Sequence, residues 1–257
     1  MDSNLGIPTW DERRARHQVK KDVQARHLKQ DRYWTQVYLA KKQQKDTKRV
    51  SLINNPNVLL HTFTEVTTPT EQMKELKRRA MQIAADYANG ENYNVFMQSK
   101  ESGNGKTLLA SCILAQVGNN PAAAMTTMFV STAQMKKLVS RKFDNTTRND
   151  DLYSLGDELH DFERNAGRAD LLVLDDLGTE SSLKTDGNIS SANQTISEML
   201  FNIAEKREFK PTIITTNYSG QELKQIYNNK IIDRFMTNNP NHVLKFDGIP
   251  TYRRSRN

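Results

Sequence analysis

The stretch Asn94–Ala110, which reads NVFMQSKESGNGKTLLA, decides the fold of this chain. It predicts a short apolar strand, a glycine-containing loop ending in Gly-Lys-Thr, and a helix that begins immediately afterwards. Backbone N–H groups of such a loop and of the helix N-terminus can together bind phosphate oxygens. Glycines at 103 and 105 let the backbone turn and approach a ligand closely. The stretch therefore predicts a nucleotide phosphate site.

The side chains of the loop fit the same chemistry. Lys106 can reach the terminal phosphates, and the hydroxyl of Thr107 can ligate Mg²⁺. In the full phosphate-loop pattern a glycine stands five residues before Gly105, but here that position is Lys100. A residue with a Cβ must therefore begin the loop. The predicted nucleotide-binding residues are Ser102, Gly103, Asn104, Gly105, Lys106, Thr107 and Leu108.

A second motif follows about 70 residues later, in the run 169–178, which reads ADLLVLDDLG. Four consecutive aliphatic residues are expected of a central parallel strand, which is buried on both faces. Acids at the carboxyl end of such a strand face the edge where parallel sheets bind ligands. Asp175 is placed to hold Mg²⁺, directly or through water, and Asp176 to orient and activate an attacking water. Taken alone, both could be ordinary loop acids.

Three further polar residues complete the candidate site. Asn217 follows the next apolar strand, at 212–216, where it can hydrogen-bond a γ-phosphate or the attacking water. Arg234 and Arg253 lie further along the chain, and a guanidinium near a γ-phosphate stabilises the charge of the transition state. Each arginine could equally be an isolated surface charge. The alternation of strands and helices from residue 68 onwards predicts an α/β fold with a mainly parallel sheet.

Composition separates an N-terminal segment from the rest of the 257 residues. Residues 1–50 carry 13 Lys and Arg against 6 Asp and Glu, whereas the remaining 207 residues carry 24 of each. The whole net charge of +7 therefore belongs to the N-terminal fifth. We expect a basic helical arm at 1–45, a linker at 46–67 and one α/β domain at 68–257. Apolar runs too short for a membrane span and a single cysteine predict a cytoplasmic chain without membrane contact or disulfide.

The order of these motifs resembles the AAA+ ATPases, and among them the bacterial and phage helicase loaders DnaC and DnaI. The resemblance covers about residues 68–257. It implies a P-loop sheet of five parallel strands sandwiched by helices, ATP and Mg²⁺ as ligands, and slow, assembly- or DNA-dependent hydrolysis. It also implies that Asn217 is sensor 1, Arg234 an arginine finger acting on a neighbouring subunit, and Arg253 sensor 2. A nucleotide-dependent oligomer follows from a finger in trans.

The resemblance implies two macromolecular partners. The first is a DnaB-type replicative helicase, which the arm would bind; Trp10, Trp34 and Tyr38 are the candidate contacts, because exposed aromatic side chains are common interface anchors. The second is single-stranded DNA, for which Arg141, Lys142 and Phe143 combine cations with an aromatic ring. A basic arm exposed only to solvent and a core role for Phe143 are the alternatives.

These features predict an ATP-dependent helicase loader that delivers the helicase onto single-stranded DNA during replication initiation. Two alternatives stay open at this point. One is an IstB-like transposition helper, which would share the ATPase core but coat duplex DNA. The other is a poorly hydrolysing, nucleotide-gated helicase adaptor or inhibitor, suggested by Lys100 and by Asp176, which is one methylene shorter than the glutamate of many ATPases.

Overall fold

Five parallel strands form the centre of the molecule. The computed structural model describes residues 10–141, 149–179, 192–237 and 239–251. The strands are β1 (Val95–Gln98), β2 (Thr127–Ser131), β3 (Leu171–Leu177), β4 (Thr212–Thr216) and β5 (Val243–Lys245). They lie in the order β2-β3-β4-β1-β5, and every pairing is parallel. The predicted parallel five-stranded sheet is therefore confirmed.

Eight α-helices surround or extend the sheet in the described part of the chain. Their bounds are α1 (Trp10–Val50), α2 (Glu71–Ala88), α3 (Lys106–Gly118), α4 (Thr132–Arg141), α5 (Asn149–Arg168), α6 (Gln194–Lys206), α7 (Gly220–Ile226) and α8 (Asn229–Phe235). Three short 3₁₀ helices lie at Pro56–Leu60, Phe63–Glu65 and Pro240–His242. Helix α2 begins at Glu71 because the Thr70 hydroxyl caps it by accepting the N–H of Met73 at 3.2 Å.

Two hydrophobic layers cover the two faces of the sheet. Alternate residues of each strand point to opposite faces, so Leu172 and Leu174 belong to one layer and Leu171 and Val173 to the other. Helices α4 to α8 complete the first layer, and α2, α3 and the first two 3₁₀ helices complete the second. The sheet is thus sandwiched by helices, as predicted. Its strand ends, where polar residues follow β1, β3 and β4, share one edge.

The arm is a single helix that is longer than expected. Helix α1 runs for 41 residues and ends at Val50, five residues beyond the predicted boundary at 45. Its C-terminal turn is fixed to the body, because the buried hydroxyl of Thr47 lies 2.8 Å from that of Thr127. The backbone then pairs with the edge of the sheet: Leu52 donates to Phe129 O and accepts from Ser131 N, both at 2.9 Å.

The segment predicted as a linker is packed against the domain. Leu59, Phe63 and Val66 are buried in the layer that contains α2 and α3. The sequence Asn54-Asn55-Pro56-Asn57 favours turns, and the structure forms a 3₁₀ helix there, with the Asn55 side chain accepting the N–H of Asn57. Residues 51–66 are therefore a strap across the domain, whereas the functional division into arm, linker and ATPase domain stays a prediction. None of the helices in the described ranges combines the length and apolar character that crossing a membrane needs.

Candidate nucleotide-binding site

The loop between β1 and α3 has the backbone that its glycines predict. Gly103 and Gly105 have φ values of 82° and 100°, in the left-handed region that favours glycine. Gly105 is the N-cap of α3, so the helix starts at Lys106 with its N–H groups directed at the loop. Asn104 is buried and braces the loop, because its side-chain amide donates to Ser99 Oγ at 2.7 Å and to Phe246 O at 3.3 Å. The loop is held by side chains of its own and by the residue after β5.

Lys100 does not strain the start of the loop. Its φ is not in the left-handed region, so the glycine missing from the sequence pattern is not required there by the backbone. The N–H of Lys100 donates to Asp247 Oδ1 at 3.3 Å. Thr251 Oγ1 contacts Gly103 O at 3.5 Å. The segment that follows β5 therefore lies along both ends of the loop, and Arg253, two residues beyond Thr251, falls outside the described residues.

Lys106 is buried at the loop and makes two neutral contacts. Its Nζ donates to Glu101 O at 2.8 Å and to Asn104 Oδ1 at 3.0 Å. Burial lowers the pKa of Lys106, and the nearby carboxylates of Asp175 and Asp176 oppose that effect. A phosphate oxygen is a stronger partner for an ammonium than either neutral oxygen, because charge-assisted hydrogen bonds are about twice as strong. The position of Lys106 therefore suits an anionic ligand at the loop.

The Asp175 carboxylate joins the two motifs. Its Oδ1 accepts hydrogen bonds from Thr107 Oγ1 at 2.9 Å and from Thr215 Oγ1 at 2.7 Å. Burial, and then the charge of Asp176, raises the pKa of Asp175 to about 6. A carboxylate that is this costly to ionise is stabilised by a cation, so a threonine hydroxyl and a carboxylate here form a set of oxygen ligands suited to Mg²⁺.

This donor set suits Mg²⁺, which does not need a complete shell of protein ligands. In the described ranges no group of three or more His, Cys, Asp or Glu side chains could hold a metal ion. Mg²⁺ is usually bound by one or two carboxylates together with phosphates and water, so Thr107 and Asp175 are sufficient protein ligands.

Asp176 occupies an irregular point in β3. Its φ is 58°, which few residues with a side chain adopt, and the register between β3 and β4 shifts between Leu174 and Leu177. The bulge is fixed on both sides: Asp176 N donates to Thr215 Oγ1 at 2.9 Å, and Asp176 O accepts from Thr132 Oγ1 at 2.7 Å. It brings the Asp176 side chain to the cleft while Asp175 stays buried beneath it. Outliers of this kind cluster at functional sites.

The cleft has a volume of about 510 Å³ and contains the whole predicted loop together with Asp176 and Asn217. The side-chain oxygen of Asn217 is buried without a hydrogen-bond partner, which is unusual enough to indicate a ligand group. The other wall is made by Val58 and His61 of the strap, by Thr67 and by Met73 of α2. The sequence did not indicate this wall, because residues 46–67 are predicted to be a linker.

Arg234 lies far from the cleft of its own chain. Its carbonyl accepts from Asn94 Nδ2 at 3.1 Å, and Asn94 directly precedes β1, so Arg234 is at the amino ends of the strands, opposite the loop. Its guanidinium contacts Glu205 Oε1 at 3.4 Å and lies 4.9 Å from the centre of the Phe201 ring. The structure thus brings Asp175, Asp176 and Asn217 to the loop and leaves Arg234 on another surface.

The predicted macromolecular contacts are exposed where they are described. Arg141, at the end of α4, forms an ion pair with Glu158 at 3.2 Å, while Lys142 and Phe143 lie outside the described residues. Trp10, Trp34 and Tyr38 are 73%, 59% and 67% exposed along α1. Of these residues, the four that the structure describes lie outside both hydrophobic layers of the body.

The strand order and the loop that lines this cleft give the chain an AAA+ P-loop fold. Its structure is similar to the crystal structure of DnaI, with a TM-score of 0.55 at 17% identity over 76% of this chain and 95% of that one. It is also similar to the DnaC helicase loader, with a TM-score of 0.52 at 18% identity over 74% of this chain and 98% of that one. The predicted resemblance to DnaC and DnaI is therefore confirmed at the level of the fold.

A third similar structure is the replication initiator DnaA bound to AMPPCP and single-stranded DNA. Its TM-score is 0.51 at 13% identity, and the match covers 72% of this chain and 49% of that chain. No family model matches the present sequence, and no curated protein does.

Proposed function

We propose that this protein is an ATP-driven helicase loader. The observation that carries the proposal is the link from Thr107 through Asp175 to Thr215, which joins the phosphate loop to the ends of β3 and β4 beside the buried Lys106. Such a link makes the strand ends responsive to what the loop binds. The fold shared with DnaI and DnaC supports the choice of a loader among the many ATPases that have this kind of site.

The chemistry assigned to the cleft is hydrolysis of ATP. The loop N–H groups and Lys106 bind the phosphates, and Thr107 and Asp175 hold Mg²⁺, which neutralises charge on the phosphates when it is bound. Asp176 orients and activates the attacking water, and Asn217 donates its amide to that water or to the γ-phosphate. Hydrolysis is slow, because the aspartate at 176 reaches one methylene less far than a glutamate would.

Arg234 is assigned to a neighbouring copy of the chain. Its location at the amino ends of the strands supports action in trans, because it cannot serve the loop at the opposite end of its own sheet. Arg253 is assigned to the ATP of its own chain, and the contact of Thr251 with Gly103 supports a chain path that leads towards the phosphates. Self-association with ATP at the subunit interface follows from the two assignments.

The arm is assigned to a DnaB-type helicase and the body to single-stranded DNA. A long exposed helix with large aromatic side chains is suited to a protein partner, since such side chains supply much of the binding energy at interfaces. Trp10, Trp34 and Tyr38 are the proposed helicase contacts. Arg141, Lys142 and Phe143 are the proposed DNA contacts of the body.

A loading reaction tests the function as a whole. A DnaB-type helicase is supplied with circular single-stranded DNA to which a tailed oligonucleotide is annealed, and release of the oligonucleotide is followed with and without the protein. We expect the protein to accelerate release strongly, and the Lys106→Ala variant to bind the helicase without accelerating release. Release that is unchanged by the protein would contradict a loader.

The same preparation separates the alternatives. A transposition helper would bind duplex DNA in preference to the circle and would not change helicase delivery. An adaptor or inhibitor would bind the helicase, show no ATP turnover and slow the release of the oligonucleotide.

A further inference from the structure

The C-terminal half of α1 carries two aromatic side chains and three lysines on one face. Trp34, Tyr38, Lys41, Lys45 and Lys48 follow one another at steps of four, three, four and three residues, which places them in one row along a helix. We refer to these five residues as the α1 stripe. At 1.5 Å per residue the stripe is roughly 21 Å long.

The stripe points away from the body. The opposite side of the helix is the packed one: Thr47 is 7% exposed, and Gln43 and Val50 line a cavity against Thr127 of the sheet edge. The three stripe lysines are exposed, and Trp34 and Tyr38 expose more than half of their surface. Two large aromatic side chains held in water on a fixed helix are costly unless a partner covers them.

The charges around the stripe favour an anionic partner on this outer face. Among the residues that the structure describes, no ion pair links Lys41, Lys45 or Lys48 to a carboxylate. The inner groove beside Arg49 is different, because it is lined by residues of both charges, and Glu158 and Asp161 there pair with Arg141 and Arg164. The three lysines of the stripe therefore attract a polyanion to the outer face.

We propose that the α1 stripe binds single-stranded nucleic acid. Lys41, Lys45 and Lys48 contact successive phosphates, and Trp34 and Tyr38 stack on bases next to them. Stacking requires unpaired bases, so the aromatic end of the stripe selects a single strand over a duplex. Tyr33 supports this role by holding the Trp34 ring edge-on, with ring centroids 5.4 Å apart and planes inclined at 71°.

This inference extends the proposed function and can be tested without the helicase. It changes one assignment of that function: Trp34 and Tyr38, proposed above as helicase contacts, contact the strand instead. Trp10, roughly 36 Å further along the helix, keeps the helicase role. A strand bound to the stripe lies on the outer face of the arm, on the side of the helix opposite the contact of Thr47 with Thr127. The protein then has a DNA contact that does not depend on the cleft.

Tryptophan fluorescence tests the stacking contact directly, because Trp10 and Trp34 are the two tryptophans of the chain. In the full-length Trp10→Phe variant, addition of the single strand dT20 is expected to quench the Trp34 emission to a saturable limit. In the matched Trp34→Phe variant, the Trp10 emission is expected to stay unchanged. A Trp34 emission that dT20 does not alter overturns the proposal, and so does equal quenching of Trp10.

Charge removal tests the phosphate contact. The triple variant Lys41→Gln, Lys45→Gln, Lys48→Gln is expected to bind dT20 about tenfold or more weakly. Its plot of log affinity against log salt should also be shallower by about 2, since each single-strand phosphate contact contributes about 0.7 to that slope. The matched control is Lys20→Gln, Lys21→Gln, Lys29→Gln, which loses the same charge from exposed positions around the same helix. Circular dichroism verifies that both variants keep their helix.

Three results overturn the stripe as a nucleic-acid site. They are equal weakening by the two triple variants, tighter binding of duplex than of dT20, and a Trp34 signal that responds to a DnaB-type helicase but not to dT20. The last result would support the helicase assignment of Trp34 and leave the proposed function intact. A failure of helicase loading combined with normal Trp34 quenching would instead contradict the proposed function and leave the stripe intact.

Discussion

The nucleotide cleft and the arm helix α1 contrast in how the chain holds its functional side chains. In the cleft, Lys106 and Asp175 are buried and each makes two hydrogen bonds to other groups of the site. On the arm, Trp10 and Tyr38 are about two-thirds or more exposed. The cleft is organised before any ligand arrives, whereas the arm presents groups whose contacts must come from another molecule.

The two regions nevertheless meet through the strap at 51–66. Its first residues pair with the edge of the sheet next to the root of α1, and its later residues, Val58 and His61, form a wall of the cleft. The cleft and the arm therefore differ in how their side chains are packed, although the strap connects the two regions.

Replacing Lys106 by alanine should reduce steady-state ATP turnover by about 100-fold or more. The reason is that Lys106 is the buried cation of the loop, and its removal leaves the phosphates without that charge. The matched control is Lys100→Ala in the same loop, which removes an exposed lysine and should change turnover by less than about threefold. Equal losses in both variants would show that the buried position of Lys106 has no special role.

Replacing Arg234 by alanine should reduce turnover by about 100-fold or more while leaving nucleotide affinity nearly unchanged, if its guanidinium acts on the transition state of a neighbouring site as we propose. Mixing this variant with Lys106→Ala chains should restore turnover. The Arg234→Ala chain supplies a loop with Lys106, and the Lys106→Ala chain supplies Arg234 to that neighbouring loop. Arg164, which is partly exposed and paired with Asp161, provides a control substitution. Absence of restoration in the mixture would contradict action in trans.

Replacing Asp175 by asparagine should stabilise the ligand-free protein at neutral pH while abolishing turnover. The raised pKa, about 6 against 3.8, means that the folded chain gains stability from the protonated carboxyl below pH 3.8 and loses it as the pH rises through 6. Asparagine stays neutral, so its advantage in unfolding free energy should grow by about 2 kcal/mol between about pH 4.5 and 7.5. Urea unfolding at several pH values measures the difference in unfolding free energy between the variant and the intact chain. A difference that does not vary with pH would contradict a cost of ionising the buried Asp175.

Replacing Thr47 by valine should lower the free energy of unfolding by about 1 kcal/mol without altering ATP turnover, because the buried Thr127 hydroxyl loses its partner. Thr35→Val is the matched control, the same substitution at an exposed position of α1. Equal stability of the two variants would mean that the root of the arm is not packed on the sheet as described.

Much of the fold was predictable because its signals are local. Apolar runs such as 171–174, each followed by a polar residue, predict parallel strands and the edge at which their polar ends gather. The pairing of Leu52 with the edge of β2 was not predictable, because it joins segments almost 80 residues apart and is made by backbone groups. Turn-forming asparagines at 54 and 55 concealed the strap, although the apolar residues Leu59, Phe63 and Val66 could have indicated it.

The residues of the candidate site were predictable from the sequence, but their local geometry was not. The sequence predicted Asp175, Asp176 and Asn217 at one edge of the sheet, but not the bulge that places the two acids differently or the threonine that connects Asp175 to β4. A positive φ at an aspartate depends on the surrounding hydrogen bonds and leaves no mark in composition. The assignments of Arg234, Arg253 and the arm aromatics to their partners stay predictions.

The most direct test of the loader is co-elution of the protein with a DnaB-type helicase in size-exclusion chromatography with ATP present. Two variants are compared with the intact chain: one that lacks residues 1–40 but keeps the packed root of the arm, and Lys106→Ala. We predict a complex with the intact chain, no complex without residues 1–40, and a Lys106→Ala complex that forms but does not load the helicase. Co-elution unaffected by removal of residues 1–40 would contradict the division of labour between arm and cleft.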